Sequence, residues 1–121
     1  MKEDKPVELK IDRNIAFLTL NRPHVLNAFN DTSIKILTKH LQHIQQDDSI
    51  YAVVLRGNGG HFSAGADIEW MRRTIDYSQD QNEQDALLLA KLLDTFYHLN
   101  KPTITLVHGS VFGGAIGLVA C

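Results

Sequence analysis

Cysteine is nearly missing from this sequence: Cys121 is the single one among 121 residues. A lone thiol excludes an internal disulfide framework and a zinc site built from several cysteines. An excess of one charge sign is missing too. Lys and Arg number 12 against 14 Asp and Glu, a formal charge of −2, so no field draws the chain to nucleic acid or to an anionic membrane. No apolar run follows Met1-Lys2-Glu3-Asp4-Lys5-Pro6, so no secretory leader is read there. Internal repeats and low-complexity tracts are absent. Neither phosphate fingerprint occurs: Gly113-Gly114-Ala115-Ile116-Gly117 is not G-x-G-x-x-G, and there is no G-x-x-x-x-G-K-S/T. What remains is a globular composition, 44% hydrophobic and 21% charged, in a length that suits one domain or part of one. Together these features predict a soluble, cytoplasmic protein with no nucleic-acid partner, no membrane partner and no metal.

The hydrophobic pattern predicts the elements. Val7, Leu9 and Ile11 alternate with Glu8, Lys10 and Asp12, a half-buried strand over 6–12. Arg13-Asn14 turns the chain into a more apolar strand over 15–20, which Asn21-Arg22-Pro23 ends. Asn30, Asp31 or Thr32 caps a helix running to about Gln46, with Ile34, Leu37, Leu41 and Ile44 on one stripe and Lys35, Lys39, Gln42 and Gln46 off it. A buried strand over 51–55 leads to Gly57-Asn58-Gly59-Gly60. Asp67 to Arg73 reads as a short helix and the polar stretch 74–84 as a mobile loop. A helix over 85–99 turns Leu89, Leu92, Leu93 and Phe96 inward, Pro102 breaks it, and a strand over 103–107 runs into a glycine cluster and a last helix start. Strand–helix alternation after an opening hairpin predicts an α/β fold with a largely parallel sheet.

Two glycine turns follow predicted strands: Gly59-Gly60-His61-Phe62-Ser63-Ala64-Gly65-Ala66-Asp67 and Gly109-Ser110-Val111-Phe112-Gly113-Gly114. Read singly, each is a turn like any other. Side by side at the ends of two parallel strands, they would aim two backbone N–H groups at one developing negative oxygen. Ser63 and Ser110 lack a His/Asp partner at any suggestive spacing, which argues against nucleophilic catalysis. His61, His98 and His108 have no metal-ligand spacing. His108, which precedes Gly109 at a strand end, is the histidine expected near the pocket and is read as packing, whereas His40 and His43 are read as exposed. Nothing cationic precedes Cys121, which is read as core and not as a reactive thiol.

Leu20-Asn21-Arg22-Pro23 with Leu26-Asn27-Ala28, then His61-Phe62-Ser63-Ala64-Gly65-Ala66-Asp67-Ile68, then Val107-His108-Gly109 and Gly113-Gly114 resemble, in order, the crotonase (enoyl-CoA hydratase/isomerase) superfamily. The likeness spans essentially the whole chain. The segment around Trp70 is similar to methylglutaconyl-CoA hydratases of bacteria. The resemblance implies the crotonase-like fold of repeated β-β-α units and an acyl-CoA thioester as substrate, with coenzyme A part of that substrate and no separate cofactor. It implies that the N–H groups of Ala66 and Gly114 hold the thioester oxygen. His24, Val25 and Ala28, and Ala64, Asp67 and Ile68, would line the path of the CoA chain. It also implies homo-oligomers, trimers or hexamers.

The pattern departs from the family at one telling place. A glutamate common in its hydratases falls on residue 117, which is Gly117, and the second would lie beyond Cys121. Asp67 and Glu69 are the nearest visible carboxylates; Asp67 is read as a helix cap and Glu69 as a solvated or substrate-side residue. The chain thus reads as the N-terminal half of a single crotonase-like domain, residues 1–121, lacking the C-terminal helical region that builds trimers. Phe112, Ile116, Leu118 and Val119 would be short of partners, which predicts self-association. The competing reading is a catalytically inactive fragment that binds CoA thioesters or serves as an interaction module. A membrane anchor over the uncharged stretch 104–121 is a third.

Overall fold

The computed structural model describes residues 5–121; residues 1–4, part of the stretch that bears on a leader, lie outside the described residues. Strands β1 (Val7–Asp12) and β2 (Ile15–Leu20) form an antiparallel hairpin with Val7 opposite Leu20. Arg13 and Asn14 both take positive φ, 51° and 68°, as a two-residue hairpin turn requires. The Asn14 side-chain amide donates to the Ser49 carbonyl at 2.7 Å and fixes the turn without any glycine. β3 (Ala52–Gly57) runs parallel to β2, and β4 (Thr103–Thr105) parallel to β3, giving the order β1-β2-β3-β4. The α/β class and the largely parallel sheet are as the pattern predicts.

Helix α1 (Asp31–Gln46) starts at Asn30, whose side chain accepts from Ser33 N–H at 2.8 Å while Ser33 Oγ accepts from Asn30 N–H at 3.0 Å. This reciprocal cap selects Asn30 among the three candidates. Ile34, Leu37, Leu41 and Ile44 lie against Ala16, Leu18, Val53 and Leu55 in one core, with Leu92 and Phe96 of α3 (Gln79–Tyr97) joining them. Two further helices, α2 (Ile68–Thr74) and α4 (Gly114–Ala120), follow the two glycine turns.

Four expectations need correction. The strict alternation of β1 does not translate into burial: Val7 is buried but Ile11 is 49% exposed, and it is Val7 and Leu9 that share a cavity with Ile36 and His40 of α1. The polar stretch 74–84 is no loop over most of its length. Ser78 caps α3, accepting from Gln81 N–H while Gln81 accepts from Ser78 N–H, so the helix starts at Gln79, ahead of the expected Asp85 and of its apolar stripe. β4 ends at Thr105, and Leu106 N–H makes a last bond to the Leu55 carbonyl at 2.8 Å. Beyond it residues 107–112 leave the sheet to run beside the first glycine turn. Leu118 is buried with Ala115, in contrast to Phe112, Ile116 and Val119, which are exposed. Among the described residues no helix is long and apolar enough to cross a membrane, and 104–121 holds strand, loop and the short α4.

Candidate active site

Three loops, residues 21–30, 57–67 and 106–114, meet at the ends of β2, β3 and β4. Asn27 ties the first two together. Leu26 and Asn27 take φ of 57° and 54°, which turns the buried Asn27 side chain inward. Its Oδ1 accepts from Arg22 N–H at 2.7 Å, and its Nδ2 donates to the carbonyls of Asn58 and His61 at 2.8 and 3.0 Å. Its own carbonyl accepts from the Ser63 hydroxyl at 2.8 Å. A buried amide with all these groups satisfied specifies one loop arrangement.

The first turn passes Phe29 in a parallel bridge: Phe29 N–H donates to Gly65 O at 2.7 Å and Asp67 N–H to Phe29 O at 2.6 Å. In such a bridge the central residue, Ala66, turns its own N–H to the other side. The second turn passes the first in another parallel bridge, with Ser63 N–H to Ser110 O at 3.2 Å and Phe112 N–H to Ser63 O at 3.1 Å. It then enters α4, whose first N–H groups have no intrahelical partner. Gly65 and Gly113 have φ of 91° and 55°. They lie so close that a Cβ placed on Gly65 would stand 3.5 Å from Gly113 Cα and 2.8 Å from Phe112 O. The turns therefore abut at the residues just before Ala66 and Gly114, and neither of those two N–H groups has an acceptor among the described residues. The two turns that the sequence only allowed to be neighbours are in contact.

Asp67 occupies a different role from its neighbours. Its Oδ1 accepts from Trp70 N–H at 3.1 Å, capping α2 as expected, and its Oδ2 meets Arg22 Nη1 at 2.9 Å. Both partners are buried, and the same Arg22 nitrogen donates to Ala28 O at 2.6 Å. Burial acts to raise the Asp67 pKa, but the Trp70 N–H and the Arg22 guanidinium outweigh it and hold the carboxyl below its ordinary range. That carboxylate is committed to structure. Glu69 is exposed and faces Arg72 at 3.6 Å. Ile68 is exposed, Ala64 half-buried, His24 exposed, Val25 half-buried, and Ala28 buried. At residue 117 a Cβ would stand 3.2 and 3.3 Å from the two Leu93 methyls, so the space where a longer side chain would start is held by leucine. Burial raises the pKa of the half-buried Cys121 thiol, whose sulfur contacts Leu93 O at 3.6 Å.

A cleft of about 280 Å³ opens between α2 and α3, lined by Ala66, Trp70, Met71, Asp85 and Leu89 among others. Trp70 Nε1–H donates to Asp85 Oδ2 at 2.9 Å across it. Sequence reasoning missed Asp85, because it opens the predicted helix just after a stretch read as loop. It missed the Arg22–Asp67 pair as well, because nothing in a linear reading joins residues 45 apart.

The family model described as enoyl-CoA hydratase/isomerase matches residues 10–121. The chain belongs to the enoyl-CoA hydratase/isomerase family. It is 34% identical, over 97% of its length, to a hydroxycinnamoyl-CoA hydratase-lyase of Pseudomonas fluorescens. It is 33% identical, over 89%, to a short-chain-enoyl-CoA hydratase of Clostridium acetobutylicum. A solved enoyl-CoA hydratase from Shewanella pealeana superposes with a TM-score of 0.91 at 37% identity, covering 93% of this chain. The chain spans 44%, 41% and 43% of these three proteins respectively, less than half of each. The crotonase fold implied by the motifs is the fold observed.

Proposed function

We propose that this chain carries the thioester-binding part of an enoyl-CoA hydratase-type site. The observation that supports this reading is the contact between Gly65 and Gly113, the residues just before Ala66 and Gly114, whose N–H groups have no acceptor among the described residues. A thioester oxygen accepting from both becomes a better electron sink. When water adds at C3 of a 2,3-unsaturated acyl group, the electron pair of the double bond moves onto that oxygen as an enolate. Return of a proton to C2 completes the hydration. Each such donor is worth about 3–4 kcal/mol in the transition state. The acyl chain lies in the cleft beside Trp70. The CoA chain leaves past His24, Val25, Ala28, Ala64, Asp67 and Ile68, and no cofactor is needed besides the CoA of the substrate. In this reading the acyl group is methylglutaconyl, the full protein is a cytoplasmic homo-oligomer, and the proton transfers fall to a carboxylate that neither Gly117 nor the Arg22-paired Asp67 supplies.

A second reading, binding without turnover, is favoured by one observation: Gly117 offers no carboxylate, and Asp67 is tied to Arg22. Titration of the chain with acetoacetyl-CoA and with free CoA tests the first part. The acyl form binds at least about tenfold tighter if two N–H groups grip its carbonyl, and equal binding or none refutes the grip. Loss of crotonyl-CoA or 3-methylglutaconyl-CoA absorbance then separates hydration from binding alone.

A further inference from the structure

Two of the bonds joining the glycine turns are made by imidazoles, and elementary hydrogen-bond chemistry assigns each ring its form. Ser110 N–H points at His61 Nδ1, 2.9 Å away. A backbone N–H can only donate, so Nδ1 carries a lone pair and the proton of the neutral ring sits on Nε2. His108 does the opposite. Its Nε2 stands 2.8 Å from Gly59 O, which can only accept, so that nitrogen carries a proton. The remaining bonds between the turns are backbone to backbone: Phe62 N–H to His108 O, Ser63 N–H to Ser110 O and Phe112 N–H to Ser63 O. Ser110 N–H is the one main-chain donor of the second turn handed to a side chain.

The two rings are not equivalent. His108 is exposed, so water can replace it at Gly59 O. His61 is half-buried, and its main-chain carbonyl is gripped by Asn27 Nδ2 at 3.0 Å, so ring and backbone are both set by the network that fixes the first turn. The acceptor it offers reaches Ser110, four residues ahead of Gly114.

We propose that His61 is a positioning residue of the site. Through the Nδ1 lone pair of its Nε2–H tautomer it fastens the second glycine turn to the first, and so holds Gly114 N–H beside Ala66 N–H. The proposal rests on the thioester-binding reading for its purpose, but the fastening is a property of the chain measurable without ligand. A coupling across the hydrogen bond, from Ser110 N to His61 Nδ1, is expected in the isotope-labelled wild-type chain by NMR. His61→Leu keeps bulk and removes the acceptor; His61→Asn restores an acceptor one bond beyond Cγ, as in the imidazole. In His61→Leu, amide exchange at Ser110 and Phe112 accelerates about tenfold while that of β2 and β3 is unchanged, and acetoacetyl-CoA binds about tenfold more weakly with free CoA unaffected. His61→Asn recovers both.

Absence of the wild-type coupling overturns the proposal, as does a His61→Asn variant that behaves like His61→Leu. Unchanged exchange and binding in His61→Leu overturn it too. If His61→Leu does not fold, the coupling and the His61→Asn variant decide. A wild-type chain that binds no thioester defeats the functional reading, and the coupling and exchange still report whether the fastening exists.

Discussion

Replacing Asp67 removes two things at once: the cap of α2 and the carboxylate facing the buried Arg22 guanidinium. Losing one partner of a buried ion pair typically costs about 3–5 kcal/mol, because the remaining charge loses its compensation inside the protein. Asp67→Ala is therefore expected to lose about 3–5 kcal/mol. Asp67→Asn keeps a capping oxygen but turns an NH2 donor toward the Arg22 guanidinium, which cannot accept, so it is expected to lose nearly as much, short of Asp67→Ala only by the roughly 1 kcal/mol of the cap. Urea unfolding followed by the fluorescence of Trp70, the single tryptophan, measures both. The pH dependence has a definite sign. The Asp67 carboxyl sits below its ordinary value, so its contribution is complete above the unfolded value near 3.9 and is lost as pH falls through the lower folded value. The gap between wild type and Asp67→Ala should narrow on acidification through that window. A loss under about 1 kcal/mol, or a gap as wide in acid as at pH 7, would refute the reasoning, since breaking a buried pair costs several times that.

Gly65→Ala forces an L side chain into φ 91° and places its Cβ 2.8 Å from Phe112 O. More than about 1 kcal/mol of stability should be lost, together with the preference for acetoacetyl-CoA over free CoA; a variant that keeps both would show that the turns need not touch. His40 is half-buried, contrary to expectation, and burial and the neighbouring His43 lower its pKa. The folded chain thus binds this proton less readily than the unfolded one, and stability falls as pH drops through the unfolded histidine value near 6.5. His40→Gln should flatten that part of the stability–pH curve, and an unaltered curve would assign the effect elsewhere.

The elements most legible in the sequence are those whose partners form a continuous surface. The α1 stripe announces burial by spacing alone, whereas the apolar run 51–55 overstates it: Val53 and Leu55 are buried, but Tyr51 lies outside β3 and is exposed. The start of α3 is hidden because its first turns bear no apolar residues; only Ser78 and Gln81, three apart, could have marked it. The site was legible in part. Small residues around Ala66 and Gly114 show where backbone can approach a ligand. That the turns touch, that Arg22 meets Asp67 and that His61 serves Ser110 are facts of tertiary distance, and no local pattern encodes them.

The bond between Ser110 and His61 spans 49 residues, which has a consequence for how the protein comes into being. At about 5–20 residues per second of synthesis, the first turn leaves the ribosome some 2–10 s before its partner. During that interval the hairpin, α1 and β3 can already assemble and Asn27 can lock the first turn. The outer edge of β3 and the acceptors on His61 and Ser63 must wait. A pause or release in that interval would yield a chain with its hairpin, α1 and β3 in place and only one of its two glycine turns, so the pairing of the turns comes later than the packing that supports it.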